Sequence, residues 1–173
     1  MKPAVQRVAA AIAEHGLPRE VIELAVHART SQQAADALGV AVGQIVKSLV
    51  FTVNGQPLMV AASGANRVDE RRLAAVAGGR IRRADPELVK QATGYTIGGV
   101  PPIGLQSELT VYVDRDLLGY ELVYAAAGLP ECVFPISPAE LVRATRGQVV
   151  VSGLESTLAT ATWAPPTWVA TSP

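Results

Sequence analysis

One cysteine, two histidines and three lysines in 173 residues set the first limits. The single thiol, Cys132, excludes an intrachain disulfide and a Cys-rich metal site. It sits in the strand-like run Glu131-Cys132-Val133-Phe134, where a small buried hydrophobe is expected. His15 and His27 have no second histidine at ligand spacing. His15 closes a helical run and suits a C-terminal helix charge or cap. No zinc, EF-hand, Walker or dinucleotide-glycine signature occurs. No apolar run reaches 18 residues, and Met1-Lys2-Pro3-Ala4 does not lead into the apolar core of a signal peptide, so a cytoplasmic protein without a membrane span is the expectation. Fifteen basic residues balance fifteen acidic ones, which removes any global electrostatic case for nucleic acid. Aromatic residues are scarce, and both tryptophans, Trp163 and Trp168, fall in a Thr/Ala/Pro-rich tail from Gly153 to Pro173 whose one charge is Glu155. That tail has no clear period, so disorder or loose docking is expected for residues 153–173. Residues 1–152 are long enough for one domain with a hydrophobic core.

The shortage of lysine makes Lys47 informative. The basic residues are Lys2, Lys47, Lys90 and twelve arginines; where only positive charge is wanted, this chain nearly always uses Arg. Lys47 interrupts the β-branched and apolar run Ile45-Val46-Lys47-Ser48-Leu49-Val50-Phe51-Thr52-Val53, which reads as a strand. Alternation puts Ile45, Lys47, Leu49, Phe51 and Val53 on one face, with Lys47 its only polar member. Burying an unpartnered ammonium is costly. Two readings follow: an edge strand with the lysine snorkelling to water, or a compact amine placed for chemistry.

The remaining elements mix helices and strands irregularly. Helices are expected over 3–15 with Gly16 as stop, over 32–38 with Ser31 as cap, over 67–77 before Gly78-Gly79, from Asp85-Pro86 to about Ala92, and from Ser137-Pro138 through Val142. Strands are expected over 20–26, 45–53, 57–62, 109–113, 121–124, 132–136 and 148–151, with Asn54-Gly55 turning a hairpin. This pattern predicts an α+β fold, a mixed or barrel-like sheet flanked by helices.

Two further segments concentrate chemistry. Gly94-Tyr95-Thr96-Ile97-Gly98-Gly99-Val100-Pro101-Pro102-Ile103-Gly104 combines permissive glycines with stiffening prolines. A rigid loop with free backbone N–H groups can hold an oxyanion or phosphate, and a structural turn is the plainer alternative. Arg67, Arg71, Arg72, Arg80, Arg82 and Arg83 fall within 17 residues that hold only two acids, Asp69 and Glu70. Arg forks match phosphate oxygens, and a solvated charged face is again the plainer reading.

Lys47 after a short helix and Gly39, then Ala62-Ser63-Gly64-Ala65-Asn66-Arg67-Val68-Asp69, Ala84-Asp85-Pro86, and Thr93-Gly94-Tyr95 leading into Gly98-Gly99-Val100-Pro101-Pro102, occur in one order. In this the chain resembles the YbaK/EbsC family, free-standing relatives of the editing domain inserted in bacterial prolyl-tRNA synthetases. The resemblance covers roughly residues 3–151.

The resemblance implies a deacylase that hydrolyses mischarged aminoacyl-tRNA in trans, with no metal or organic cofactor, working as a small monomer on the acceptor end of tRNA and beside prolyl-tRNA synthetase. Lys47 matches the family's strand lysine, and Gly98 through Pro102 match its G-x-x-x-P loop. The scissile bond is an activated ester, so placement and oxyanion stabilisation can suffice. Backbone N–H groups of Gly98, Gly99 and Val100 are the expected oxyanion donors. Lys47 is either an electrostatic anchor or, if neutral, a base. Pro101, Pro102, Ser63, Asn66 and Arg67 are assigned to the substrate loops, Ala126 to the acyl pocket, and Arg71, Arg72, Arg82 and Arg83 to acceptor-stem phosphates. Tyr124-Ala125-Ala126-Ala127-Gly128 lacks the hydroxyl residue that the cysteine-specific branch carries before a glycine pair. Leu105-Gln106-Ser107-Glu108 replaces the basic residues that often follow its loop. A pocket lined by Ala126 and apolar neighbours suits Ala, Ser, Thr or another small residue. The alternatives are a non-catalytic module of the same fold that binds tRNA ends or a synthetase, and hydrolysis of a different small ester or amide.

Overall fold

Cap chemistry sets the helix boundaries in the computed structural model, which describes residues 1–151. Helix α1 (Pro3–Glu14) opens on proline, buries Val5, Val8, Ala11 and Ile12 along one stripe and closes on His15 as C-cap. Helix α2 (Ser31–Leu38) is capped by Thr30, whose hydroxyl accepts from the Gln33 N–H at 3.1 Å. The expected cap, Ser31, is therefore already the first helical residue. Helix α3 (Glu70–Ala77) starts later than the expected Arg67, because the Asp69 carboxylate accepts from the N–H groups of Arg71 and Arg72. Helix α4 (Pro86–Thr93) has Asp85 as cap and Gly94 as left-handed stop. Helix α5 (Pro138–Thr145) begins with a Ser137/Glu140 capping box and runs past Val142 to a left-handed Arg146.

The strands are β1 (Ile22–Glu23), β2 (Ile45–Val53), β3 (Gln56–Ser63), β4 (Ile81–Arg83), β5 (Thr110–Asp114), β6 (Val123–Ala126), β7 (Cys132–Ile136) and β8 (Gln148–Val150). They form one mixed sheet in the order β1-β7-β6-β2-β3-β5-β8, with β4 added to β2. The β2–β3 hairpin is antiparallel and turns at Asn54-Gly55, whereas β2–β6, β3–β5 and β5–β8 are parallel. Flanked by helices, this is the α+β architecture the sequence pattern predicts. The expected strand over 20–26 contracts to two residues at the sheet margin, paired only with β7. Strand β4 was read as a charge cluster, since two of its three residues are exposed arginines. Short 3₁₀ turns at Val42–Gln44 and Arg115–Gly119 also lie where none was expected.

One face of the sheet packs Val46, Met59, Val113 and Phe134 against α1, α4 and α5. The other packs Phe51, Leu58, Val60 and Ala62 against Leu73 of α3, while Ile45 and Val133 meet Ala34 and Ala35 of α2. Cys132 is buried, and its thiol is pushed up by desolvation, in line with a packing role. Among the described residues no helix is long and apolar enough to cross a membrane. The tail with Trp163 and Trp168 lies outside the described residues.

The fold's best-formed ion pair ties the α1–β1 connection to α5. Arg19 Nε and Nη2 donate to Glu140 Oε2 and Oε1, each at 3.0 Å. Arg19 chiefly, with the Ser137 N–H, holds the Glu140 carboxyl below the ordinary range against the opposing effect of burial. A lowered folded-state value adds stability above the unfolded-state value and loses it as pH falls through the folded one. Glu140→Gln is therefore expected to cost about 1–2 kcal/mol at neutral pH. The difference in melting temperature from the parent should shrink as pH falls into the acid range; a difference that persists unchanged there would assign the loss to the cap alone.

Candidate functional site

Strand β2 is not an edge strand, and that decides how Lys47 must be read. Along one edge it pairs with β3 over its whole length. Along the other it pairs with β6 only at Ile45 and Val46, and with β4 only from Phe51 to Val53. Between these partners the sheet opens. The Val50 carbonyl on this edge accepts from the Ala84 N–H at 3.1 Å. Backbone groups alternate edges along a strand, so the N–H and C=O of Ser48 point into the same opening. A cleft of about 410 Å³ occupies it, walled by Val46, Lys47, Ser48, Leu49 and Val50 of β2, and by Tyr124 and Ala126 of β6. Ala84 and Val89 continue the wall, Ile97, Gly98 and Val100 close one side, and Ala28 to Ser31 with Ala34 close another.

Lys47 is half-buried and donates from Nζ to the Asn66 carbonyl at 2.5 Å. Its ammonium is held below the value of an ordinary lysine, first by desolvation and then by Arg83, while Asp114 pulls the other way. Arg29, Lys47 and Arg83 all line the cleft, and among the described residues no Asp or Glu does. The Arg83 guanidinium stands 5.9 Å from the centroid of the Phe51 ring. This is a positive, largely apolar chamber suited to an anionic or ester ligand. Ser48 Oγ is buried, and among the described residues it has no hydrogen-bond partner.

The glycine loop is locked by its own backbone. Gly98 has φ +92°, a conformation costly for any residue with a Cβ. At Gly99 an added Cβ would lie 2.6 Å from the Gly128 carbonyl oxygen, and the Gly128 N–H donates to the Gly99 carbonyl at 2.9 Å. Close approach of these two glycines fixes the loop against the β6–β7 turn. The Gly99 N–H donates to Thr96 O at 3.0 Å, which corrects its expected role: it is spent inside a turn and does not line the cleft. Gly98 and Val100 do line it, and among the described residues their N–H groups have no partner.

The other expected residues divide. Ala126 lines the cleft. Asn66 meets Lys47 through its backbone carbonyl. Pro101, Pro102 and Ser63 are buried and stand outside the cleft. Ser63 is fully used, its hydroxyl donating to Gly43 O at 2.8 Å and its N–H to Asp114 Oδ2 at 2.9 Å, so it supports the site without facing a ligand. Arg83 faces the cleft, whereas its strand neighbour Arg82 does not. Arg67 and Arg71 are exposed, and Arg72 reaches Asp69 at 3.6 Å. Arg29, Ser48 and Tyr124 were missed. Among the described residues no group of three or more His, Cys, Asp or Glu side chains could hold a metal ion.

The aminoacyl-tRNA editing domain profile matches residues 25–144. YwhH of Bacillus subtilis is 33% identical over 123 residues, covering 70% of this chain and 78% of that protein. EbsC of Enterococcus faecalis, described as a candidate Cys-tRNA(Pro)/Cys-tRNA(Cys) deacylase, is 26% identical over 121 residues, covering 69% of this chain and 74% of its own. A crystal structure of a candidate trans-editing enzyme for prolyl tRNA synthetase superposes with a TM-score of 0.85 at 42% identity, covering 88% of this chain and 98% of that one. The chain belongs to the aminoacyl-tRNA editing domain family, in its YbaK/EbsC group.

Proposed function

We propose that this member of the editing family is a trans-acting deacylase that hydrolyses the ester of tRNA mischarged with a small amino acid, with tRNA-Pro the first species to test. The observation that carries the reading is the pairing of a half-buried, desolvated Lys47 with the Gly98–Val100 loop across a cleft that, among the described residues, no carboxylate lines. The terminal nucleotide of a charged tRNA offers both a phosphate and an ester carbonyl. Arg83 and Arg29 at the cleft suit the phosphate. The Lys47 ammonium and the unpartnered N–H groups of Gly98 and Val100 suit the carbonyl oxygen as it becomes an oxyanion.

In the hydrolytic step, water attacks the ester carbonyl carbon and the carbonyl electrons move to oxygen. Collapse of the tetrahedral intermediate breaks the bond to the ribose oxygen, which leaves with a proton from water. The amino acid departs as its carboxylate, and the second proton of the attacking water passes to solvent. Lys47 serves as an ammonium: a donor already bound to a carbonyl and aimed into the cleft stabilises charge without taking a proton. Ala126 sets a small acyl space.

The test is a deacylation panel of Ala-, Ser-, Thr-, Cys- and Pro-charged tRNA. One mischarged species should be hydrolysed well above its spontaneous rate, and correctly charged Pro-tRNA spared. Binding of tRNA without turnover on any member would replace the deacylase by a binding module. Faster hydrolysis of simple esters than of aminoacyl-tRNA would move the substrate class elsewhere.

A further inference from the structure

Asp114 is a carboxylate at 1% exposure, and among the described residues no cation is bonded to it. It ends β5, beside the end of β3. Its oxygens are filled by N–H donors instead. Oδ2 accepts from the Ser63 N–H and from Asn66 Nδ2, both at 2.9 Å, and Oδ1 accepts from the Asp116 N–H at 3.0 Å. Asp116 Oδ2 accepts from the same Asn66 amide nitrogen at 2.6 Å. The two amide protons of Asn66 are thus divided between two carboxylates, which fixes its side chain and, with the Asn66 N–H to Ser63 O bond at 2.9 Å, the surrounding loop. The carbonyl of this same residue receives the Lys47 ammonium.

We infer that Asp114 is a positioning residue: through the side-chain amide of Asn66 it fixes the Asn66 carbonyl, and that carbonyl aims the remaining donors of Lys47 into the cleft. The arrangement exists for a reason that packing alone does not supply. An apolar pair at 66 and 114 would close the loop without burying a charge. A carboxylate one residue removed from the lysine also favours its protonated form, against desolvation and the field of Arg83. The charged groups around Lys47 are Asp114 behind it, Asp116 beyond the Asn66 side chain, Arg83 on β4 and Arg29 at the entrance to α2. The step from aimed donor to turnover rests on the deacylase reading; the positioning itself does not.

Three lysines make the test direct. In protein carrying ¹³C at the lysine ε carbons, Lys2, Lys47 and Lys90 give three titrating signals, assigned with Lys47→Met. Asp114→Asn is expected to move the Lys47 titration to lower pH and leave the other two in place. Asn66→Ala and Asp116→Ala are expected to lower kcat about 10-fold through misaimed donors, with KM nearly unchanged. Asp116 is exposed, so its variant should melt like the parent. If Asp114→Asn does not fold, the kcat-against-KM split in the other two variants decides. An unmoved Lys47 titration in folded Asp114→Asn, or unchanged kcat in Asn66→Ala, overturns the inference. Wild-type protein without deacylation would sink the functional reading and leave the titration result standing.

Discussion

Lys47→Met is expected to reduce deacylation of the preferred mischarged tRNA by about 10²–10³-fold, the usual loss on removing one preorganised oxyanion donor. Methionine keeps the length and the apolar stem, so the wall of the cleft survives. Thermal stability should hold or rise, because a desolvated ammonium is replaced by a group that prefers the interior. Lys47→Arg should not rescue activity: a planar fork cannot reproduce one compact donor bound to Asn66 O. The pH profile then separates donor from base. If Lys47 works as an ammonium, activity falls as pH rises through its titration, which lies below that of an ordinary lysine. If it works as a base, activity rises through the same point. Arg83 contributes to that lowering, so Arg83→Gln should move the alkaline limb upward. Rates must be corrected for spontaneous base hydrolysis of the ester, which climbs over the same interval. A Lys47→Met protein that retains most of its activity would end the assignment.

What the sequence disclosed, and what it withheld, follows from which interactions are local. Lys47 stood out because strand alternation is a property of consecutive residues, and an apolar face with one ammonium is visible without coordinates. Asn54-Gly55 and Asp85-Pro86 were legible for the same reason. Ser48 was not. Its importance arises because β6 leaves β2 after Val46 and β4 joins only at Phe51, and no local pattern reports where two distant strands stop. Arg29 and Tyr124 reach the cleft by the same tertiary route. Asp114 falls one residue past the expected strand over 109–113 and drew no notice; its role needs Ser63, Asn66 and Asp116 brought together across β3 and β5. The arginine run is divided in a way that charge alone does not report: Arg83 faces the cleft, and its strand neighbour Arg82 does not. The G-x-x-x-P loop was found as a unit, yet its division of labour was hidden: Gly98 and Val100 face the cleft, while Gly99, Pro101 and Pro102 hold the loop in place.

That division predicts the second large effect. Gly99→Ala is expected to lower kcat about 10²-fold although Gly99 touches no substrate. Its new Cβ would meet Gly128 O at 2.6 Å, Gly128 C at 2.8 Å and Leu129 Cα at 3.0 Å. All three are backbone atoms, so neither side can yield by rotating a side chain. The loop must lift from the β6–β7 turn, and the hydrogen bond from the Gly128 N–H to Gly99 O at 2.9 Å is strained with it. A displacement near 1 Å at an oxyanion donor is enough for a loss of that size. Gly98→Ala acts by a different route. It has room, with Pro130 Cγ at 3.7 Å the nearest contact, but its φ of +92° places a Cβ in a strained conformation, at about 1–2 kcal/mol. Gly98→Ala should therefore show in the melting temperature first and in kcat less. Gly99→Ala should show in both. A Gly99→Ala enzyme with normal kcat would mean that the loop does not hold the oxyanion, and the stabilisation would have to come from Lys47 alone.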